Sequence, residues 1–416
     1  MFFYFLLIRI AALCGHKKAQ LLIQGQSETL KQRTKELNAL RGSVWFHAAS
    51  VGEFEQARPM IERLKREHPE KQIVVTFFSP SGYEMRKNYN LADGIFYLPF
   101  ATGRNAKQFI EALRPSMAVF VKYEFWPAYL KELKKRSIPA YCISAIFRPG
   151  QRFFQWYGGA SRKLLKCFTH IYVQDERSRQ LLESHGIKDC SVAGDTRFDR
   201  VVNNSQCTMH NAQFTEELGL IEQFVEGCER VVVAGSTWPE DEKLLEAYMK
   251  STEYRVQSTD QVTKLILVPH EIDEAHLHFI FNLFKGRFVR YTRATETALI
   301  HADVLVVDAM GLLNSIYRFG HVAYVGGGFG EGIHNTIEPA AFGRPVVFGP
   351  NYHHFREAQG LIDAGAGKSV KNGTELAAAL DYALDHHAEL GKKAAEYVQS
   401  EIGATEKIYQ DLFGHS

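Results

Sequence analysis

Residues 322–339 read VAYVGGGFGEGIHNTIEP. An apolar run, Val322–Val325, enters a glycine-rich loop and then a stretch with helix-start chemistry. Glycines let a backbone take positive φ and approach a phosphate closely. A helix start offers unpaired N–H groups at the positive end of the helix dipole. Glu338 falls about one turn into that helix, where its carboxylate can accept from ribose hydroxyls. The bland alternative is a tight turn with Asn335 as the N-cap. The acid follows the glycines too soon, and on the helix itself, for a dinucleotide fingerprint. Strand, loop and helix make half of a βαβ unit, and the pattern repeats in both directions along the chain.

Around this loop the second half alternates. Strand-like runs fall at Arg230–Ala234, Lys264–Val268, Val304–Val307, Val322–Val325 and Pro345–Phe348, with helical spacing between them and a last helical stretch from about Gly373 to Phe413. Upstream the same rhythm runs from Ser43 to Ala193. Its strands are Ser43–Ala49, Gln72–Phe78, Gly94–Leu98, Met117–Lys122, Ala140–Ser144, His170–Gln174 and Cys190–Ala193. Alternation of this kind predicts parallel, doubly wound α/β sheets. The polar stretch Val201–Glu229 interrupts it and marks a domain boundary. The expected organisation is an N-terminal segment over residues 1–40, a Rossmann-like domain over 41–205 and a second over 206–416. Such sheets bind ligands outside the carboxyl ends of their strands, so a cleft between the two domains is expected.

Length and composition agree. The chain has 416 residues, 45% of them hydrophobic and 23% charged, and no low-complexity tract, which excludes extensive disorder and suits two cores. The net charge of +2 hides an asymmetry: Met1–Arg200 holds 32 Lys and Arg against 18 Asp and Glu. A basic first half suits an anionic membrane or a phosphorylated acceptor, the alternative being two ordinary solvated surfaces. Cys14, Cys142, Cys167, Cys190, Cys207 and Cys228 form no CxxC pair and no zinc spacing, and read as reduced thiols of a cytoplasmic protein.

The chain opens MFFYFLLIRIAALC, followed by Gly15, His16, Lys17 and Lys18. That run is shorter than a spanning helix needs, and Arg9 interrupts it. A cleaved signal peptide would need a basic start, which is missing. The expectation is an interfacial anchor with a basic flank on anionic headgroups, and the alternative is a first helix packed on the domain.

Candidate site residues gather at strand ends. In the second half these are Gly235-Ser236-Thr237, Val268-Pro269-His270 and Asp308-Ala309-Met310-Gly311-Leu312, besides the loop around Gly328. Ser236 either faces a donor phosphate or takes part in ordinary capping. In the first half, His47-Ala48-Ala49-Ser50-Val51-Gly52-Glu53 ends the first strand. Glu53 is then a carboxylate able to take a proton from an acceptor hydroxyl, or simply an acid stabilised at a helix start. Lys122-Tyr123-Glu124-Phe125-Trp126-Pro127 brings a second acid, and Gly194-Asp195-Thr196-Arg197-Phe198-Asp199 a cation.

The motifs HAASVGE, KYEFWP, GDTRFD, AGSTWPEDE, VPH, DAMG and GGGFGEGIHNTIEPAAFGRPVVFGP occur here in the order of a known family. The chain resembles the transferases of 3-deoxy-D-manno-octulosonic acid (Kdo), from the N-terminal segment to about Asp363. The resemblance implies a GT-B fold and inverting transfer of Kdo from CMP-Kdo to a lipid A precursor (lipid IVA), without metal or cofactor. It implies work at the cytoplasmic face of a bacterial inner membrane, with no nucleic-acid partner. Glu53 matches the family's general base, and Glu124 and Arg197 match residues that stabilise the transition state. Pro269 and His270, Met310 to Leu312, and Asn335, Thr336, Ile337 and Glu338 match the CMP contacts. Three positions depart from the family. His270 stands where Arg is usual and lacks its permanent charge. Leu312 stands where Glu is usual, and Arg197 where Lys is usual. Two other readings stand beside this one: a GT-B transferase using a UDP-sugar, and a non-catalytic membrane-bound module that binds sugar nucleotides.

Overall fold

The computed structural model describes residues 2–31, 33–210, 213–259 and 262–414. The chain forms two compact units, Met1–Arg200 with Glu401–Ser416, and Val201–Ser400.

The first unit is built on seven parallel strands: β1 (Val44–Ala48), β2 (Ile73–Phe77), β3 (Gly94–Tyr97), β4 (Met117–Val121), β5 (Ala140–Ala145), β6 (His170–Val173) and β7 (Cys190–Val192). Their order is β3-β2-β1-β4-β5-β6-β7. Both faces of the sheet are covered, as the near-continuous apolar strands require. Along β1 the two-residue period sends Val44, Phe46 and Ala48 to one core and Trp45 to the other. The order reverses between β1 and β4, so the connections leaving these two neighbours diverge and open a crevice at their carboxyl ends.

The N-terminal segment divides. Helix Lys17–Lys31 packs on the sheet edge, where the Thr29 hydroxyl donates to Tyr97 O at 3.1 Å, and Leu37 and Leu40 enter the first core. Residues 17–40 are therefore structural, and the boundary expected at residue 40 separates parts of one core. Helix Phe2–Leu13 keeps Leu7, Ile10 and Leu13 exposed. Met1 and the side chains of residues 2–6, on which much of the anchor reading falls, lie outside the described residues. Among the described residues no helix is long and apolar enough to cross a membrane.

The second unit repeats the plan with β8 (Arg230–Thr237), β9 (Thr263–Pro269), β10 (Phe288–Arg290), β11 (Val304–Val306), β12 (Val322–Val325), β13 (Val346–Phe348) and β14 (Gly367–Ser369). Their order is β10-β11-β9-β8-β12-β13-β14, all parallel, with the reversal between β8 and β12. The loop quoted first thus lies at the switch point of its sheet. The polar stretch read as the domain boundary is helical, Thr196–His210 and Gln213–Val225. The expected last helix is three helices, Gly373–Asp385, His387–Glu401 and Ala404–Phe413. The third departs from the 206–416 boundary. Ile408, Tyr409 and Phe413 join the core of the first sheet, and Asp199 accepts from the N–H of Thr405 at 2.7 Å. Cys14, Cys142, Cys167, Cys190 and Cys228 are free thiols, and the side chain of Cys207 lies outside the described residues.

Candidate active site

In the first unit the site starts where β1 ends. Ser50 is extended, caps helix Val51–Glu67 and accepts from the Glu53 N–H at 3.4 Å. Glu53 reaches back, and the Ala49 N–H donates to its Oε2 at 2.6 Å. This is the reciprocal logic of a capping box, so the helix-start reading of Glu53 is realised. The same carboxyl is half-buried and stands near Glu124, at the end of the neighbouring strand β4. Burial first, and the Glu124 charge second, push Glu53 up to about 7, against the pull of the Ala49 N–H, Lys122 and the Ser50 N–H. A carboxylate near neutrality at a strand end is suited to accept a proton in one step and release it in the next.

Glu124 is held by two donors. The Trp126 Nε1–H donates to its Oε2 at 2.5 Å, and His47 Nε2 lies 3.2 Å from the same oxygen. His47 is fully buried in β1, with Nδ1 2.9 Å from the Thr76 hydroxyl. The Trp45 Nε1–H donates to that hydroxyl at 2.8 Å. The arrangement that satisfies every group has Thr76 donating to Nδ1 and His47 Nε2–H donating to Glu124, a tautomer assigned from its partners. A buried chain of donors from Trp45 to Glu124 therefore fixes one face of the carboxylate. Lys122, at φ 53, turns the chain between β4 and Glu124 through a region that side chains rarely adopt.

Arg197 opens helix Thr196–His210 beyond β7. Its Nε and Nη2 donate to Asp195 Oδ2 at 2.9 and 2.7 Å, and its N–H donates to Oδ1 at 3.0 Å. Gln56 Nε2 also donates to Oδ1, at 3.1 Å. Burial works to raise the Asp195 carboxyl, but Arg197 and Lys122 hold it below the usual range. Lys122 acts on both Glu53 and Asp195, so Glu53, Glu124, Lys122, Asp195 and Arg197 share one electrostatic neighbourhood. The sequence pointed to Glu53, Glu124 and Arg197. His47, Lys122 and Asp195 stood inside the same motifs but were given no role of their own.

In the second unit, β8 and β12 flank the glycine-rich loop. A Cβ on Gly326 would lie 2.4 Å from Ser236 O, and one on Gly328 would lie 2.6 Å from the Cα of Gly349. These glycines are needed for approach to the protein's own backbone, a reason distinct from the phosphate contact expected of them. Gly328→Ala is expected to cost about 3 kcal/mol, because backbone faces backbone and neither can yield cheaply. In a thermal melt that is a fall of about 5–10 °C, and a variant melting with the parent would show that the loop has room.

Three rings stand together beside the loop. His270 stacks on Trp238 with centroids 4.8 Å apart and on His334 at 4.4 Å, and the Trp238 Nε1–H donates to His334 Nε2 at 3.2 Å. Burial, and then His270, push the His334 imidazole down to about 4. His270 thus enters an aromatic stack, which a planar Arg could also join. Ser236 adopts φ 54, and Pro269 pairs beside Thr237. Met310 is exposed, Gly311 is left-handed, and Leu312 is buried in the core, leaving its backbone for any ligand. The Asn335 side chain accepts from the Ile337 N–H at 3.0 Å and donates to Glu338 Oε1 at 3.0 Å; it stands one residue before the N-cap, which is Thr336 and not Asn335 as the bland alternative had it. Ile337 and Thr336 are fully buried, and Thr336 Oγ1 has no hydrogen-bond partner among the described residues. Asp308 is structural: burial opposes its charge, but Thr292 and Arg290 hold its carboxyl low. Trp238 and His334 went unnoticed as a pair because 96 residues separate them.

Residues 24–200 match the family model described as 3-Deoxy-D-manno-octulosonic-acid transferase (kdotransferase). The chain is 30% identical over 372 residues to the 3-deoxy-D-manno-octulosonic acid transferase of Aquifex aeolicus (strain VF5), covering 88% of this chain and 93% of that protein. The transferase of the same name from Rickettsia felis is 27% identical, over 86% of this chain and 75% of that protein. Among solved structures, UDP-GlcNAc 2-epimerase from Neisseria meningitidis bound to UDP-GlcNAc superposes with a TM-score of 0.64 at 15% identity, over 89% of this chain and 100% of that one. That likeness shows the fold alone, and the fold is of the GT-B type.

Proposed function

The chain belongs to the 3-deoxy-D-manno-octulosonic acid transferase family and is a glycosyltransferase, and from that premise we propose that it moves Kdo from CMP-Kdo to a lipid A precursor such as lipid IVA by inverting displacement, with Glu53 as the base. The observation that carries the reading is the carboxylate pair at the switch point of the first sheet. Glu53 is poised near 7, and Glu124 is fixed by Trp126 and His47. An acceptor hydroxyl attacking the anomeric carbon loses its proton to Glu53. The C–O bond to the phosphate breaks, and CMP leaves with the electron pair. Glu124 and the anchored cation Arg197 meet the charge that develops on the sugar and phosphate. The second unit holds the nucleotide through its glycine-rich loop, the backbone N–H groups after Asn335 and the Trp238–His270–His334 stack.

We place this activity at the cytoplasmic face of the inner membrane. The reading rests on the basic first half, 32 Lys and Arg against 18 Asp and Glu through Arg200, and on the apolar start of the chain. The direct test is incubation with CMP-Kdo and tetraacylated lipid A precursor, with products weighed by mass spectrometry. Addition of one or more Kdo units is expected. The nucleotide is tested by titration, in which CMP is expected to bind at least tenfold more tightly than UDP. No product, or a preference for UDP, would reject the proposal.

A further inference from the structure

Between the short helical turn Arg152–Phe154 and helix Gly159–Leu165, the first unit displays Trp156, 91% exposed, and Tyr157, 62% exposed. Their rings stand edge to face, 5.5 Å between centroids. The turn is built, not loose. The Gly158 N–H donates to Gln155 O at 2.9 Å, and Arg162 Nη1 donates to Phe153 O at 2.9 Å and to Gln155 O at 3.0 Å. A Cβ at Gly158 would lie 2.1 Å from Arg152 O, so only glycine closes it this tightly. Phe153 and Phe154 pack inward against Phe125 and Phe147, which leaves the next two aromatics facing solvent. An indole held in water by a clamped turn gains nothing for the fold.

Along the chain on either side of the turn the charge is of one sign. No Asp or Glu occurs between Glu132 and Asp175, whereas Arg152, Lys163 and Lys166 are exposed within that stretch. Lys134 Nζ donates to Lys166 O at 2.5 Å, which brings the exposed end of helix Pro127–Lys135, with Lys134 and Lys135, beside the end of helix Gly159–Leu165. An amphipathic aromatic pair in a basic stretch of chain without acids matches the boundary of an anionic bilayer. Indole and phenol settle among headgroups, and lysine and arginine pair with lipid phosphates. We propose that the Trp156–Tyr157 turn is a docking point of the first unit on anionic lipid membranes, separate from the N-terminal helix.

The test uses the full chain and vesicles of phosphatidylcholine with and without phosphatidylglycerol. Trp156→Ala/Tyr157→Ala is expected to lower co-sedimentation with the anionic vesicles about tenfold while melting as the parent does, since both side chains are exposed. With brominated lipid in the vesicles, parent fluorescence is expected to be quenched, and Trp156→Phe to lose that quenching. Trp45 and Trp126 are buried, and Trp238 is partly so. Parental binding by the double variant, quenching that survives Trp156→Phe, or failure of the parent to bind anionic vesicles would each overturn the proposal. Transfer to an acceptor dispersed in detergent is expected to be unchanged in the double variant, so a failed reading of the chemistry would show there and not on the vesicles.

Discussion

Glu53→Gln is expected to lower turnover about 10³-fold, within the range by which a general base accelerates proton transfer, while CMP affinity stays within about twofold. Gln keeps an oxygen for the Ala49 N–H, which donates to Glu53 at 2.6 Å, so the helix start survives. It loses only the capacity to take a proton. The pH dependence gives a second signature. The Glu53 carboxyl is raised to about 7 by burial and by Glu124, so the base is ionised above that pH and protonated below it. Turnover of the parent should therefore climb through pH 7 and, at pH 5.5, stand about 30-fold below its plateau. Stability runs the other way. A carboxyl whose folded value is raised favours the protonated native state, so the ionised form at pH 8 costs stability that is restored as pH falls through 7. Glu53→Gln removes that cost and should melt no lower than the parent at pH 8. Rapid-quench turnover and a thermal melt on the same preparation decide the matter. A variant that turns over within tenfold of the parent would end the assignment of Glu53 as base.

Much of this was legible because it depends on local pattern. All seven strands of the first sheet follow from short runs bounded by turns; six are buried along most of their length, and β7, at the sheet edge, leaves Val192 exposed. Two strands of the second sheet, Phe288–Arg290 and Gly367–Ser369, gave no such signal. They are three-residue edge strands with half-buried or exposed side chains, and backbone pairing alone defines them. The helix Ala404–Phe413 was legible as a helix but not as part of the first unit. An amphipathic face does not say which core it covers, and its ties to Asp199 span more than 200 residues. The site divides in the same way. Glu53, Glu124 and Arg197 stand at strand ends, which sequence can find. His47 lies within an apolar run, and its partners Thr76 and Glu124 are 29 and 77 residues away. Only the sheet order brings them together. The stack of Trp238, His270 and His334 likewise joins three loops that periodicity treats separately.

Asp241→Ala is expected to act in the opposite direction, on the fold and on nucleotide affinity. Asp241 is 1% exposed in the first turn of helix Pro239–Thr259 and accepts three hydrogen bonds. The Trp238 N–H donates to Oδ2 at 3.0 Å, the Gly327 N–H to Oδ2 at 2.9 Å, and the Tyr324 hydroxyl to Oδ1 at 2.5 Å. One carboxylate thus ties a helix start, the end of β12 and the glycine-rich loop. Burial pushes its carboxyl up, with the three donors pulling it back, so the surroundings are dry. Truncation leaves three buried donors unpaired at about 1–3 kcal/mol each, of which some is recovered by relaxation. A net loss of about 4 kcal/mol is a fall of about 10 °C in melting temperature for a unit of this size. Asp241→Asn should cost about a third as much. Its amide oxygen can accept from both N–H groups, and the Tyr324 hydroxyl can rotate to accept from the amide nitrogen. Because Gly327 is the anchored point of the loop, CMP affinity should fall with stability, more in Ala than in Asn. Calorimetric melts and CMP titration of both variants test this. Equal effects of Ala and Asn would mean that the carboxylate charge, which both variants lose, and not side-chain volume or a neutral acceptor, holds the loop. On the proposed reading the pair of experiments separates the two units: Glu53→Gln is expected to lose turnover and keep CMP, and Asp241→Ala to lose CMP through the glycine-rich loop.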